Sequence, residues 1–346
     1  MASAPSVSIP TAIPPSPRTV QSPTTTFDIV SYYNELIESD SSITPPIAAI
    51  ESLISLLATT PLTTISETLA LLSTHTAKLL AAQRNPIPLS AGTELFQRYL
   101  VSSFQQRPST LANSDFSTLR HNIITNSSLF VKRANEARVK IAHLALRFVR
   151  EESTIVTYGY SRVVQTLLTH AAESGRYFNV IYVLPPSGDT SSTLSKSIAA
   201  LNALSIPTST IPIHALNFAL ASLPASQAPP QFVTGAAAVL ENGSIITQFG
   251  THQVALVARS LSLPFYVAAE SYKFVRSFPL GCGQADLAKM GVKQDVLQFS
   301  TTGSGKAPSV DDMVEITPPD LISALFTETG IMTPDAVSEE LIKLWF

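Results

Sequence analysis

The sequence predicts an α/β fold: an all-helical amino-terminal half followed by a doubly wound parallel sheet. Three observations carry this. Apolar residues from Phe27 to about Arg150 recur at helical spacing. After Glu152 the pattern changes to short β-rich runs separated by helices of ten to fifteen residues, the signature of β-α-β units. Charged residues make up only 14% of the 346 residues, against about 25% in an ordinary soluble domain. That apolar excess requires a buried sheet, a subunit interface, or both.

The helical half is punctuated by Pro and Thr. Phe27–Glu38 places Phe27, Val30, Leu36 and Ile37 near one face, and Ile47–Ala58 repeats the pattern with Ile50, Leu53, Ile54 and Leu57. Thr64-Ile65-Ser66-Glu67 has the form of a capping box opening a helix that runs to about Gln83. Pro86–Pro88 reads as a break, followed by helices over Gly92–Val101 and Leu129–Arg150. The last carries Lys132, Arg133, Arg138, Lys140, Arg147 and Arg150, read as a solvated basic face. Strands are then expected at 154–157, 180–184, 208–213, 231–234 and 265–268. Intervening helices fall over 161–174, 191–204, 215–222 and 251–261. The polar stretch Gly281–Pro308 reads as a connector, and helices at 319–327 and 335–344 end the chain. The boundaries expected are a Pro/Ser-rich disordered tail over 1–26, a helical domain over 27–150 and a sheet domain over 151–346.

Composition excludes several function classes. The net charge of −3 and pI near 6.1 give no footprint for direct nucleic-acid binding. Mean hydropathy is high at +0.23, yet no apolar run approaches the roughly 18 residues of a membrane span. Cys282 is the single cysteine, so no internal disulfide forms, and the Pro- and Ser-rich start has no continuous apolar core of a secretory signal. These features predict a cytosolic chain. The six histidines show no metal-ligand spacing, and neither a metal nor a cofactor is expected. Gly303-Ser304-Gly305-Lys306 lacks the first glycine and the final Ser or Thr of a phosphate loop and reads as a loop.

In an open parallel sheet, ligands gather at the carboxyl ends of the strands. There the sequence places Tyr158, Gly159, Tyr160, Ser161 and Arg162, then Glu241-Asn242-Gly243 and Gln248, then Glu270 and Lys273. A helix opening near Ser161 offers backbone N–H groups to an anion, with Arg162 adding charge. From the residues alone, turn and cap chemistry is the better account of the same positions: Asn-Gly makes tight turns and Ser caps helices.

These segments resemble the family that joins the regulatory subunits of eukaryotic translation initiation factor 2B with the ribose-1,5-bisphosphate and methylthioribose-1-phosphate isomerases. The likeness runs over roughly residues 27–346 and is nearest to the alpha-type members. It rests on Tyr160-Ser161-Arg162-Val163-Val164, Glu241-Asn242-Gly243, Gly250-Thr251 and Pro264–Val267. The block Ala269–Arg276 and the tail around Thr333-Pro334 and Glu340–Leu344 complete it. The resemblance implies a Rossmann-like carboxyl-terminal domain that forms a homodimer, and the low charge fraction and apolar tail make Leu341, Leu344, Trp345 and Phe346 candidates for that surface or for packing beside it. It implies a stress-responsive regulatory subunit working with beta, gamma, delta and epsilon subunits in a guanine-nucleotide exchange complex. That complex acts on initiation factor 2 and senses phosphorylation of its alpha subunit. The alternatives are a sugar-1-phosphate aldose–ketose isomerase, or a non-catalytic sensor of a sugar phosphate or nucleotide.

Four departures favour the regulator. Gly159 stands where the isomerases carry a cysteine, and Ala237 where they carry an aspartate, so groups able to shuttle a proton are missing. The family's Asn-Lys before Gly-Thr is Thr247-Gln248 here, and Leu184-Pro185-Pro186-Ser187 replaces a Glu-Ser segment. A vestigial sugar-phosphate pocket is therefore expected around Tyr158–Arg162, Asn242, Gln248, Glu270 and Lys273. The resemblance also assigns partner contacts to Thr64, Glu67, Glu94, Leu95 and Phe96.

Overall fold

A computed structural model describes residues 27–40, 43–62, 64–105, 128–185, 192–224, 228–297 and 313–345. The expected tail over 1–26, the Gly303–Lys306 loop and Phe346 lie outside them. Helices α1 (Ile29–Ser39), α2 (Pro45–Thr59), α3 (Ile65–Ala82) and α4 (Ile87–Gln105) come first. Helix α2 is their core, burying Ile47, Ile50, Leu53 and Leu57 against Tyr33, Leu72, Leu79 and Phe96. Each such Leu or Ile contributes about 1.5–3 kcal/mol relative to exposure. The capping box forms as expected: Glu67 N donates to Thr64 Oγ1 at 3.2 Å, and Thr64 N to Glu67 Oε2 at 3.3 Å.

Helix α4 starts five residues earlier than the sequence suggests, because Pro88 sits within its first turn, where no amide donor is required. It packs hard on the start of α2. A Cβ on Gly92 would lie 2.3 Å from the Pro46 carbonyl oxygen, so only glycine permits this crossing.

Helix α5 (Ser128–Ala145) ends in a 3₁₀ turn at Leu146–Phe148 and leads into the sheet region. This holds β1 (Ser153–Tyr158), α6 (Arg162–Glu173), β2 (Asn179–Leu184), α7 (Ser192–Ala203), β3 (Thr208–Pro212), α8 (Leu216–Ala221) and β4 (Ala228–Gly235). After the hairpin β5 (Ala238–Leu240) and β6 (Ile245–Gln248) come α9 (Thr251–Ser260), β7 (Phe265–Ala268) and β8 (Phe274–Val275). The chain closes with α10 (Gln284–Lys289), β9 (Val314–Thr317), β10 (Ala324–Phe326), β11 (Ile331–Met332) and α11 (Val337–Trp345).

The main sheet has the order β11-β10-β7-β4-β1-β2-β3, parallel except for the edge strand β11. The doubly wound expectation holds, and the order reverses direction between β1 and β4. Alternate side chains serve opposite faces. Val156, Val183, Val267 and Leu325 meet α8, α9 and α11, while Ile155, Val180, Tyr182, Val233 and Phe326 meet α5, α6 and α7.

Three expectations are corrected. Residues 319–327 form a 3₁₀ turn and strand β10 instead of a helix, since Leu325 and Phe326 pair with β7 in the core. The connector after Gly281 contains the short helix α10. A second sheet, β8-β5-β6-β9, was not foreseen; it packs Ala238, Leu240, Ile246 and Ile316 against Ile87 and Ala91 of α4. Its pairings span as many as 72 residues (Ile245 with Thr317), beyond any local pattern.

Candidate functional site

A cavity of about 330 Å³ opens at the carboxyl ends of β1 and β4, where the strand order reverses. Its floor comes from Tyr158, Ser161, Arg162 and Gln248, and Glu270 and Lys273 form one wall. Its roof comes from the helical part: Thr44, Pro45 and Pro46 at the start of α2, and Pro88 at the start of α4.

Glycines shape the floor. Gly159 has φ +60°, and a Cβ there would lie 2.9 Å from Gln248 Oε1. A Cβ on Gly235 would meet Ser161 Oγ at 2.1 Å, so glycine lets the start of α6 close onto the end of β4. The Ser161 side chain makes no cap hydrogen bond. The first backbone N–H groups of α6 therefore lack helical partners and face the crevice end of the sheet.

The wall is an ion network. Glu270, 1% exposed, accepts from Arg138 Nε at 3.1 Å and from the Tyr272 hydroxyl at 2.9 Å, both on Oε1. Lys273 Nζ lies 2.7 Å from Glu270 Oε2 and donates to the Ala236 carbonyl at 3.0 Å. Burial alone would raise the Glu270 carboxyl, but the Lys273 charge and hydrogen bond, aided by Arg138, outweigh it and hold its pKa at about 2. Tyr272 is pushed upward by burial and then by that carboxylate.

Arg162 is different. Burial lowers its pKa, and the Arg138 charge lowers it further. Its Nε is buried without a hydrogen-bond partner, as is Thr247 Oγ1, another lining atom. Three cations thus converge with a single carboxylate, and unsatisfied polar atoms line the space between. An anion with several acceptor oxygens would satisfy them. Gly159 and Ala237, the positions where the resemblance places a cysteine and an aspartate, carry no proton-transfer group.

The sequence-predicted pocket residues assemble here with one exception. Tyr158, Tyr160, Ser161, Arg162, Gln248, Glu270 and Lys273 line the cavity, and Gly159 abuts Gln248. Asn242 does not line it. Its Oδ1 accepts from Ser244 N at 3.0 Å in the β5–β6 hairpin turn, where Gly243 has φ +80°. Turn chemistry accounts for that motif. Arg138 was missed: it lay within a helix face read as solvated, yet is 8% exposed. Its tie to Glu270 crosses 132 residues of sequence.

The predicted partner-contact residues lie apart from the cavity. Thr64 and Glu67 are exposed at the start of α3, while Glu94 and Leu95 are half-buried on α4. Burial raises the Glu94 carboxyl, and the Arg276 charge offsets part of that rise. Phe96 is 0% exposed within the helical core and offers no surface for contact. Leu341 likewise packs in its own chain's core at 3% exposure, which removes it from the candidate dimer surface. The side chains of Leu344 and Trp345 lie outside the described set. No described helix is long and apolar enough to cross a membrane, and no described group of three or more His, Cys, Asp or Glu is placed to hold a metal.

Fold and site define an α/β protein with a crevice at the carboxyl ends of its parallel strands, roofed by helices and walled by the buried Glu270 ion network. Residues 38–334 match the model of the initiation factor 2 subunit family, and the chain belongs to that family. It is 32% identical over 325 residues to translation initiation factor eIF2B subunit alpha of Dictyostelium discoideum, covering 92% of this chain and 96% of that protein. Against the subunit of the same name from Caenorhabditis elegans it is 29% identical, over 92% of this chain and 98% of the other. Among solved structures, the tetrameric eIF2B-beta2-delta2 complex from C. thermophilum superposes with a TM-score of 0.68 at 20% identity. That match covers 91% of this chain and 94% of the solved one, and it speaks to the fold alone.

Proposed function

We propose that this chain is a non-catalytic, alpha-type regulatory subunit of the guanine-nucleotide exchange complex for translation initiation factor 2. The observation that carries this reading is its near end-to-end similarity to two proteins named as eIF2B alpha subunits. It acts in the cytosol as a homodimer, joins beta, gamma, delta and epsilon subunits, and contributes to sensing the phosphorylated alpha subunit of initiation factor 2. The residues assigned to that contact are Thr64 and Glu67 at the start of α3 and Glu94 and Leu95 on α4. Affinity purification of the full chain from its native cytosol tests the reading. Co-elution of four further subunits is expected, and recovery of the chain alone would overturn it.

A second role for the crevice is favoured by the unpartnered Arg162 Nε and Thr247 Oγ1. The crevice binds a sugar phosphate or nucleotide without turning it over. The isomerase alternative is disfavoured because Gly159 and Ala237 offer no proton-transfer group. Calorimetric titration with ribose 5-phosphate and with adenosine monophosphate tests the ligand reading, and absence of heat with both would remove it.

A further inference from the structure

The opposite, amino-terminal edge of the main sheet carries a second concave surface. A cavity of about 520 Å³ opens there beside the starts of β7 and β10. Arg150 lines it from the segment after α5, Arg259 from the last turn of α9, Tyr266 from β7 and Asp320 from the turn before β10. The Arg150 carbonyl accepts from Ser153 Oγ at 2.7 Å, but its guanidinium has no ion pair or hydrogen bond among the described residues. Arg259 Nη1 donates at 3.0 Å to the Asp320 carbonyl, a neutral acceptor, and Arg259 likewise forms no ion pair among the described residues. Two cations therefore line the groove against the single carboxylate of Asp320. The Tyr266 ring is fixed by stacking on Phe326 at 5.0 Å and by edge contact with Phe148 at 5.4 Å. Its hydroxyl has no hydrogen-bond partner among the described residues.

The positive charge continues into α5. From Ala137 to Arg150 the chain has Arg138, Lys140, Arg147 and Arg150 and no acidic residue. Arg138 is committed to Glu270. Lys140 and Arg147 stand two helical turns apart, near one face. Arg147 lies 5.4 Å over the Phe148 ring, the same ring that packs on Tyr266. The nearest flanking acids are engaged elsewhere: Glu136 with Lys132 at 3.9 Å and Glu151 with Arg176 at 3.8 Å. A chain of net charge −3 thus gathers cations along a run that leads into this groove.

We propose that the groove docks an acidic, extended peptide segment of a partner protein. Arg150 and Arg259 take carboxylates on their planar forks of donors, and the Tyr266 hydroxyl donates to one of them. Arg150, Arg259, Ser262 and Ser323 are exposed along the rim, so the groove is open to a passing chain. A nucleic-acid backbone is the poorer match, because Asp320 stands within the groove and the whole chain is acidic. The surface lies at the other edge of the sheet from the crevice and is independent of the ligand reading.

The test is fluorescence anisotropy of a labelled ten-residue peptide of alternating Glu and Gly, titrated with the full chain. Saturable binding is expected that weakens as salt rises and is absent for the matching Gln–Gly peptide. Arg150→Glu and Arg259→Glu should each weaken it about tenfold or more. Lys196→Glu, an equal change of charge on the exposed side of α7, should leave it unaltered. If Arg259→Glu fails to fold through loss of its bond to the Asp320 carbonyl, Arg150→Glu decides alone, since that guanidinium holds nothing in the described fold. No binding of the Glu–Gly peptide, equal binding of the Gln–Gly peptide, or equal weakening by Lys196→Glu would overturn the proposal. Tighter binding of a ten-nucleotide thymidine oligonucleotide, lost in Arg150→Glu, would overturn the peptide in favour of nucleic acid.

Discussion

Gln248 occupies the space into which a side chain at Gly159 would project: a Cβ on Gly159 would lie 2.9 Å from Gln248 Oε1. Gly159 also has φ +60°, a conformation that L side chains rarely adopt. The loss of reactive groups is therefore built into the backbone as well as into the residue types. Restoring the cysteine means straining β1's exit loop and displacing Gln248 together.

The variant Gly159→Cys with Ala237→Asp is accordingly expected to gain no isomerase activity. Incubation with ribose-1,5-bisphosphate or methylthioribose-1-phosphate, followed by NMR, should give no turnover approaching about 1 s⁻¹ for either the variant or the parent. The single change Gly159→Cys should lower stability by about 1–3 kcal/mol, read from chemical denaturation. A catalytically active parent would sink the regulatory-only reading.

The Glu270 network predicts a pH dependence with a definite sign. The carboxyl titrates at about 2 in the fold, against an ordinary 4.5. Because the folded value is depressed, its stabilisation is fully present above pH 4.5 and is lost as pH falls from there towards 2. The difference corresponds to about 3 kcal/mol. Glu270→Gln should lack this part of the acid dependence. At neutral pH it should be less stable by about 3–5 kcal/mol, because Arg138 and Lys273 would be left buried without their counter-charge. Denaturation curves for both proteins from pH 7 to pH 3 provide the check, and parallel curves would defeat the assignment.

How much of this was legible in the sequence follows from the range of each interaction. The capping box at Thr64 and Glu67 and the β-rich runs of β1 and β2 are local, and both were read correctly. Pro88 misled because a proline signals a break in mid-helix but is compatible with a first turn. Leu321, Ile322, Leu325 and Phe326 have helix-compatible spacing, yet pairing with β7 makes Ala324–Phe326 a strand. The cavity's lining was named through the resemblance together with the ends of the strands. Its counter-ion was not, because Arg138 looks like its solvated neighbours until the fold brings it to Glu270. Asn242 erred the other way: an Asn-Gly turn resembles a site until the hairpin is seen to use it.

Self-association has a candidate surface on the face covered by α8, α9 and α11. Phe218, Leu256 and Ile342 on these helices are 79%, 52% and 57% exposed, respectively. A stable homodimer needs an interface of about 2,000 Å² with an apolar core. Sedimentation of the chain at sub-micromolar concentration should give a dimer, and Leu256→Asp should shift it towards monomer. Monomeric behaviour of the unaltered chain would remove the homodimer proposal. Unchanged dimerisation in the variant would move the interface elsewhere.

Glu67 has two separable roles to test. As a member of the capping box it satisfies the Thr64 amide, and losing a cap typically costs about 1 kcal/mol. As an exposed carboxylate on the proposed substrate-facing surface, it would take part in discriminating the phosphorylated substrate. Thr64→Ala removes the hydroxyl that accepts from the Glu67 amide but keeps the carboxylate, whereas Glu67→Lys reverses the charge. In a reconstituted exchange complex both variants should keep basal nucleotide exchange, and both should show a small loss in thermal stability. Only Glu67→Lys should weaken inhibition by phosphorylated initiation factor 2. Equal inhibition of both variants at the unaltered level, with stability reduced in each, would confine Glu67 to its capping role and place the contact surface elsewhere on the helical part.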